Sequence, residues 1–450
     1  MDKKKKILLI SPSRQRDKNE DFVFKMPFLN LPYLAAETPA DYDVSIIDEE
    51  HEQVNFEADA SLVALSAQTP VAPRAYQIAE QFKLRDIPVV MGGVHASTLP
   101  EEALKHVDTV IIGEGEFVWK EVIEDFEKGH LKSVYKSGTD YDLTGLSWPR
   151  RDLLNPRFYI PLTMMETTRG CPHKCDFCGV SRFFGHHYRK RPIEEVVNEI
   201  QSIFGSGFRH RFNHYLSKLG IDLPYFIERR LIYFIDSNFA ADQAYTRELM
   251  KTLAKLDVLW WGHTTVDIAN DESFLRQMKE SGCIAVNIGF ESLSSENLKA
   301  MRKSFAGSVD YSEAIKKIHA NGIGIMGTFV VGFDGEDTSI FNTIYDFVME
   351  NRLDWALVFI RTPYPGTTLF ETLEKESRIL TRDWEKYDTL NCVFEPIGMT
   401  PLELENGLRN IWKDIFSLKS IYHRILRRPR VHPMFYLGMN MQFHWMTRNW

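Results

Sequence analysis

Short apolar runs rich in β-branched residues alternate with stretches of helical spacing along most of this chain, and the alternation starts twice. Over residues 1–145 the runs are "KILLISP", "DVSIID", "SLVALSAQ", "IPVVMGG" and "VDTVIIGEGE", most of them ending on Ser, Asp or Gly. Between them lie segments such as "PRAYQIAEQFKLR", whose Tyr76, Ile78, Ala79 and Phe82 recur at helical spacing. Strands that alternate with helices predict a parallel, doubly wound sheet, in which ligands gather at the carboxyl ends of the strands. Residues 146–160 form a connector broken by Pro149, Asn155 and Pro156. The alternation restarts over 161–375. A last region, 376–450, reads as mainly helical, with Leu408, Ile411, Trp412, Ile415 and Phe416 on one helical stripe.

At 450 residues the chain is long enough for two or three domains. A formal charge of −8 excludes nucleic acid as a general partner. No window offers the roughly 18 uncharged apolar residues that a membrane span needs. The start "MDKKKKILLI" lacks a long apolar run and a small-residue cleavage site, so it reads as a solvated end and a first buried strand. The expected compartment is a reducing cytoplasm, where clustered cysteines signal a metal rather than disulfides.

Three of the five cysteines fall within eight positions: Cys171, Cys175 and Cys178 in "ETTRGCPHKCDFCGV". Zinc needs a fourth ligand, which His186 or His187 could supply. Alternatively, three thiolates hold three irons of a 4Fe–4S cube and leave the fourth iron open. Cys283 and Cys392 stand alone in apolar surroundings and are expected to be buried.

The Cys-x3-Cys-x2-Cys spacing after an apolar strand resembles the signature of radical SAM enzymes. That resemblance implies a partial (β/α)6 barrel and a cluster completed by S-adenosylmethionine. "LIYFIDSNFAAD", "WWGHTTVDIAND", "GCIAVNIGFESLS", "IGIMGTFVVGFDGED" and "LVFIRTPYPGTTLFETLE" resemble the following barrel strands, in order. It assigns Asp236, Ser237 and Asn238 to the end of the second strand, and Glu291 to the S-adenosylmethionine amino or ribose groups. Two departures stand out: Val266 where an Arg commonly precedes the third-strand Asp, and a basic, aromatic insertion over 208–230.

"LSAQT", "MGGVHASTLPEEAL" and "VDTVIIGEGE" resemble the cobalamin-binding domain that precedes many radical SAM barrels. The resemblance implies that Ser66, Gln68 and Thr69 line the nucleotide-tail pocket. Gly92, Gly93 and His95 would let backbone approach the corrin, bordered by Gly113, Glu114, Gly115 and Glu116. Cobalamin mutases carry an Asp-x-His-x-x-Gly motif; "DEEHEQV" puts His51 one place late, without the glycine, so no histidine is expected on cobalt.

The implied activity is cobalamin-dependent radical SAM methylation of an unactivated carbon or phosphorus centre, fed by an external flavodoxin- or ferredoxin-type electron donor. Two rival readings are a cyclase or rearrangement enzyme of lipid or pigment biosynthesis, and a non-catalytic metal or cobalamin sensor. The tail from Lys419 to Trp450 has no acidic residue and interleaves arginines with aromatics. Such a tail suits peripheral contact with the inner membrane face and a lipid substrate. The competing expectation is a helix over the active-site mouth with its arginines solvated, serving a soluble small-molecule substrate.

Overall fold

The computed structural model describes residues 4–14, 25–205, 230–303, 309–426 and 432–448. The 208–230 insertion lies, but for its last residue, outside them. The first sheet joins β1 (Lys6–Ser11), β2 (Asp43–Asp48), β3 (Leu62–Ser66), β4 (Val89–Gly92), β5 (Thr109–Ile112) and β6 (Val134–Lys136). All pairs are parallel, in the order β2-β1-β3-β4-β5-β6. Helices cover both faces, which is why "KILLIS" is a continuous apolar run. Leu8 and Ile10 pack with Ala75, Ile78 and Phe82 on one side. Ile7 and Leu9 pack with Trp119 and Val122 on the other. The chain leaves β1 for β2 on one side and takes up β3 on the other, so a cleft opens between their carboxyl ends.

The second sheet begins with β7 (Thr163–Met165); β8 (Thr168–Arg169) and β9 (Arg189–Lys190) then form a small antiparallel pair. Strands β10 (Arg230–Phe234), β11 (Val258–Thr264), β12 (Cys283–Glu291), β13 (Gly324–Val331) and β14 (Trp355–Ile360) complete six parallel strands in the order β7-β10-β11-β12-β13-β14. Alternation along them separates two environments. Ile232, Phe234, Trp260, Val286 and Ile288 meet the outer helices, whereas Leu231, Tyr233, Leu259 and Trp261 face the barrel interior. Along β13, Ile325, Phe329 and Val331 are fully buried, but Met326, Thr328 and Val330 are only half-buried. The interior is therefore not packed shut.

The helix Pro401–Ile415 begins at a Thr400/Glu403 capping box and lies along β14, where the Trp412 indole donates to the Val358 carbonyl at 2.7 Å. The tail beyond it corrects the expectation of a helix over the active-site mouth. The Tyr436 hydroxyl donates to the Ile284 carbonyl at 2.6 Å, near the start of β12. A Cβ on Gly324, the first residue of β13, would run into the Tyr436 ring. The tail thus closes the end of the barrel where strands begin. Nor is Arg424 solvated: it is fully buried. Its guanidinium donates to the carbonyls of Leu353 (2.9 Å), Asp354 (3.2 Å) and Ile415 (2.8 Å), to Asn440 (2.8 Å) and to Ser420 (3.1 Å). Carbonyls at the start of β14 and the end of a helix need donors, and the arginine supplies them. Among the described residues no helix is long and apolar enough to cross a membrane.

Replacing Arg424 by Met takes this donor away from the buried Leu353 and Ile415 carbonyls. Urea titration is expected to show a loss of roughly 3 kcal/mol in unfolding free energy; an unchanged midpoint would contradict this account.

Candidate active site

All six barrel strands run the same way, so the loops that follow them emerge at one rim, and the three cysteines lie on that rim just after β8. Gly170 starts the loop with φ +85°, and a Cβ there would strike the His187 carbonyl. The loop is then tied down from two directions. Asp236, buried at the end of β10, accepts from the Thr167 amide and hydroxyl at 2.9 Å and from the Thr168 hydroxyl at 2.6 Å. Asp176, between two of the cysteines, pairs with Arg361 at 2.7 Å, and Arg361 lies over the Phe333 ring at 4.8 Å. Lys303 reaches the Glu291 carboxylate at 2.7 Å and the Gly289 carbonyl at 2.8 Å.

Cys171, Cys175 and Cys178 are half-buried free thiols, while Cys283 and Cys392 are buried away from them. Burial pushes the three thiols up, Cys175 to about 12, and the Lys303 ammonium works against that rise. A metal must displace those protons to bind. Among the described residues no three His, Cys, Asp or Glu side chains close around one ion's position. Three free thiols on one short loop supply one thiolate to each of three irons, the donor set of a 4Fe–4S cluster with one open iron.

Glu291 ends β12 at φ +60°, a conformation few side chains other than glycine adopt. Strain of that kind concentrates at functional sites. Asp236 serves the cysteine loop rather than open space, and Asn238 is buried, with its side-chain oxygen accepting from the Ala240 amide at 3.3 Å. Ser237, between them, is half-buried. Sequence reasoning missed Glu336. It accepts from the Gly332 and Phe333 amides (3.0 and 3.1 Å) and from Asn297 (2.8 Å), and burial pushes it up to about 7.

The carboxyl ends of the first sheet face this rim. Gln68 borders a cavity of about 250 Å³ at the β1–β3 cleft, together with Ser13, Arg14 and Glu50, and with Tyr364 and Asp388 from the barrel side. Thr69 is buried beside it, and the Ser66 hydroxyl accepts from Asn30 at 2.8 Å. Gly93 (φ +93°) and Gly113 (φ +88°) are required by the protein itself, because a Cβ would strike Ala67 or Ser137. At Gly92 and Gly115 a Cβ would meet nothing nearer than 3.8 and 3.6 Å. Packing does not demand glycine there, and the bare backbone leaves room for a broad, flat ligand. The His95 side chain is taken up within the domain. Its ring is fully enclosed, with Nε2 against the Tyr76 hydroxyl (2.9 Å) and Glu102 (3.3 Å), so the side chain packs the domain rather than bordering the cleft.

The Glu114 and Glu116 side chains join the two sheets. Both carboxylates bind Arg169, and Arg189 takes the other oxygen of Glu114. Arg169 also pairs with Glu166 at 2.8 Å and lies over the rings of Tyr33, Phe117 and Phe184. Further contacts seal the two sheets together: Arg14 with Asp388 at 2.8 Å, and the Trp384 indole with Glu102 at 2.9 Å. His51 stacks on Phe158 of the connector at 4.7 Å, beside a Tyr159 that donates to Asp48 at 2.8 Å.

Two family descriptions match this chain: the radical SAM superfamily over residues 165–348 and the B12 binding domain over 21–123. The chain is 31% identical over 434 residues to bacteriochlorophyllide d C-12(1)-methyltransferase of Chlorobaculum tepidum, covering 95% of this chain and 90% of that protein. It belongs to the cobalamin-dependent radical SAM methyltransferases. Bacteriochlorophyllide d C-8(2)-methyltransferase of the same organism is 27% identical over 92% of this chain and 90% of its own length. The radical S-adenosylmethionine methyltransferase TsrM from Kitasatospora setae, solved with cobalamin and a [4Fe-4S] cluster bound, shares the fold. Its TM-score is 0.65 at 15% identity, over 99% of this chain and 100% of that one. The chain is therefore an enzyme whose cofactors are a 4Fe–4S cluster, S-adenosylmethionine and cobalamin.

Alanine at Cys171, Cys175 or Cys178 should abolish the iron–sulfur absorbance and S-adenosylmethionine cleavage after anaerobic reconstitution, while Cys283→Ala and Cys392→Ala keep both. Full iron content in any one of the three loop variants would overturn the ligand assignment. Arg169→Met strands buried carboxylates, and denaturant unfolding should report a loss of roughly 3–5 kcal/mol. His51→Ala should leave the Co(II) EPR spectrum unchanged; lost nitrogen splitting would show that His51 is a cobalt ligand after all.

Proposed function

We propose that this enzyme methylates a saturated carbon on the rim of a tetrapyrrole pigment precursor. The observation that carries the substrate class is likeness along nearly the whole chain to two methyltransferases of bacteriochlorophyllide d. The barrel interior suits such a substrate. Trp261 stacks on Tyr233 with ring centres 4.8 Å apart and planes 20° from parallel, which makes a flat aromatic wall.

When bound, the cluster, S-adenosylmethionine and cobalamin supply reductive radical generation and methyl carriage. The chain's own part is to hold and shield them. Cys171, Cys175 and Cys178 would hold the cluster, and Glu291 would meet the open end of the cysteine loop. Gly92, Gly115 and the Gln68 cavity would receive the cobalamin. Arg169 and Arg189 keep the two faces in register and water out. Electrons come from an external flavodoxin- or ferredoxin-type donor.

We also propose peripheral contact with an anionic bilayer, where an amphiphilic pigment resides. On the tail Leu418, Tyr422, Leu426, Met434 and Trp445 are 58, 59, 51, 62 and 63% exposed. No acidic residue follows Asp414. Each basic residue near such a surface adds about 1 kcal/mol.

Incubating the reduced, reconstituted enzyme with S-adenosylmethionine and bacteriochlorophyllide d should yield S-adenosylhomocysteine, 5′-deoxyadenosine and a pigment one methyl heavier. Deoxyadenosine with an oxidised pigment and no S-adenosylhomocysteine would favour cyclisation instead. Vesicles containing phosphatidylglycerol should sediment the enzyme, and serine at Leu418, Tyr422, Leu426 and Trp445 together should release it. Equal sedimentation of both forms, or none, would remove the bilayer contact.

A further inference from the structure

The barrel interior holds a polar cluster that serves neither the cysteine loop nor the cobalamin cleft. Tyr233, His263 and Asn287 stand on the adjacent strands β10, β11 and β12, with His263 directly beside Asn287 and Tyr233 beside Trp261. The Tyr233 hydroxyl is 2.6 Å from His263 Nε2, and the Asn287 amide donates to the same hydroxyl at 3.0 Å. All three lie on the inward side of the alternation, Tyr233 and His263 next to last in their strands and Asn287 midway along its own. Asn287 is buried, but Tyr233 and His263 are only half-buried. Enclosed by strands and still reached by open space, they border the barrel's hollow.

The direction of these hydrogen bonds decides the chemistry. Asn287 Nδ2 donates to the phenolic oxygen, in the amide orientation that the network satisfies. Among the described residues the hydroxyl's other partner is His263 Nε2, and a phenol proton given to that nitrogen satisfies both groups at a separation that suits an O–H···N bond. A neutral imidazole that accepts at Nε2 carries its proton on Nδ1. The ring is neutral, because burial pulls its pKa down to about 4. Its second nitrogen is left as an uncharged N–H.

We propose that His263 Nδ1–H positions the substrate in the barrel by donating to a carbonyl or carboxylate oxygen, with Tyr233 and Asn287 fixing the tautomer that makes it a donor. The identity of the substrate rests on the pigment reading above; the relay does not. A chlorophyllide offers two such acceptors, a ring ketone and a free propionate. A neutral donor orients either one without placing a titrating charge beside the reacting carbon.

The relay is tested without substrate, on the full chain labelled with 15N-histidine. Long-range 15N–1H correlation should show the His263 proton on Nδ1 in the wild type, and a mixture of tautomers in Tyr233→Phe. A wild-type His263 protonated on Nε2 would overturn the relay.

The donor role is tested with reconstituted holoenzyme and bacteriochlorophyllide d. His263→Phe should weaken pigment binding about tenfold, and Tyr233→Phe about threefold. The loss should vanish against a pigment that lacks the accepting oxygen; a merely structural role would weaken the binding of every pigment equally. Unchanged pigment affinity in His263→Phe would overturn the donor role, and Tyr233→Phe decides the matter if His263→Phe loses its cluster. An analogue with the ketone reduced to methylene separates the acceptors. If the ketone is the partner, the wild type loses the same tenfold and His263→Phe loses nothing further. If the propionate is the partner, the wild type binds both pigments alike. A wild type that binds no pigment at all defeats the pigment reading, and the tautomer measurement still settles the relay.

Discussion

The Arg169 guanidinium is the most fully paired of the contacts that join this molecule's two halves. Arg169 is 4% exposed, two residues ahead of Cys171, and it meets carboxylates from both sides of the interface: Glu114 and Glu116 from the first sheet, Glu166 from the barrel. A charge removed from water is tolerable only if it is paired nearly completely, so each of these side chains requires the others. Three aromatic faces around the guanidinium exclude the water that would loosen it. Such a network contributes less to net stability than to uniqueness. A shifted interface would leave buried charge unpaired, so one mutual position of the two sheets is strongly preferred.

That position sets the carboxyl ends of one parallel sheet against those of another. Either sheet alone offers a ligand-binding edge, because parallel strands send all their following loops to one end. Opposed, the two edges bound a common space, with the cysteine loop on one wall and the Gln68 cavity on the other. The cysteine loop has little freedom within it. Asp236 and Arg361 hold it from the end of β10 and from the end of β14, so the barrel's rim dictates the loop's path.

Much of this was legible in the chain. Strands buried on both faces must be apolar throughout, so β1 and β3 stood out without any structure, whereas β10 to β14 were found by their resemblance to the strands of radical SAM barrels. Cysteine spacing is equally local. What escaped were the partnerships between distant segments. Arg169 and Glu114 are 55 residues apart, Asp176 and Arg361 185, and Glu102 and Trp384 282. Composition said that the tail was basic, not that Arg424 would meet carbonyls left over at the start of β14. The surroundings of the His95 side chain escaped for a related reason. Its place after two glycines suggested an open edge, whereas Tyr76 from the preceding helix folds over the ring. The tautomer at His263 depends on three strands at once and could not be read from any one of them.

The way the tail closes the barrel also bears on how the protein is made. The residues that stop its lower end, Ile421, Ile425 and Tyr436, are translated long after the six strands they seal. While the ribosome is still extending the chain, the apolar ends of β11 and β12 stay uncovered. Nascent barrels in that interval present sticky surface to one another and to chaperones. Substitutions in the last helix therefore bear on the yield of folded enzyme as well as on its final stability.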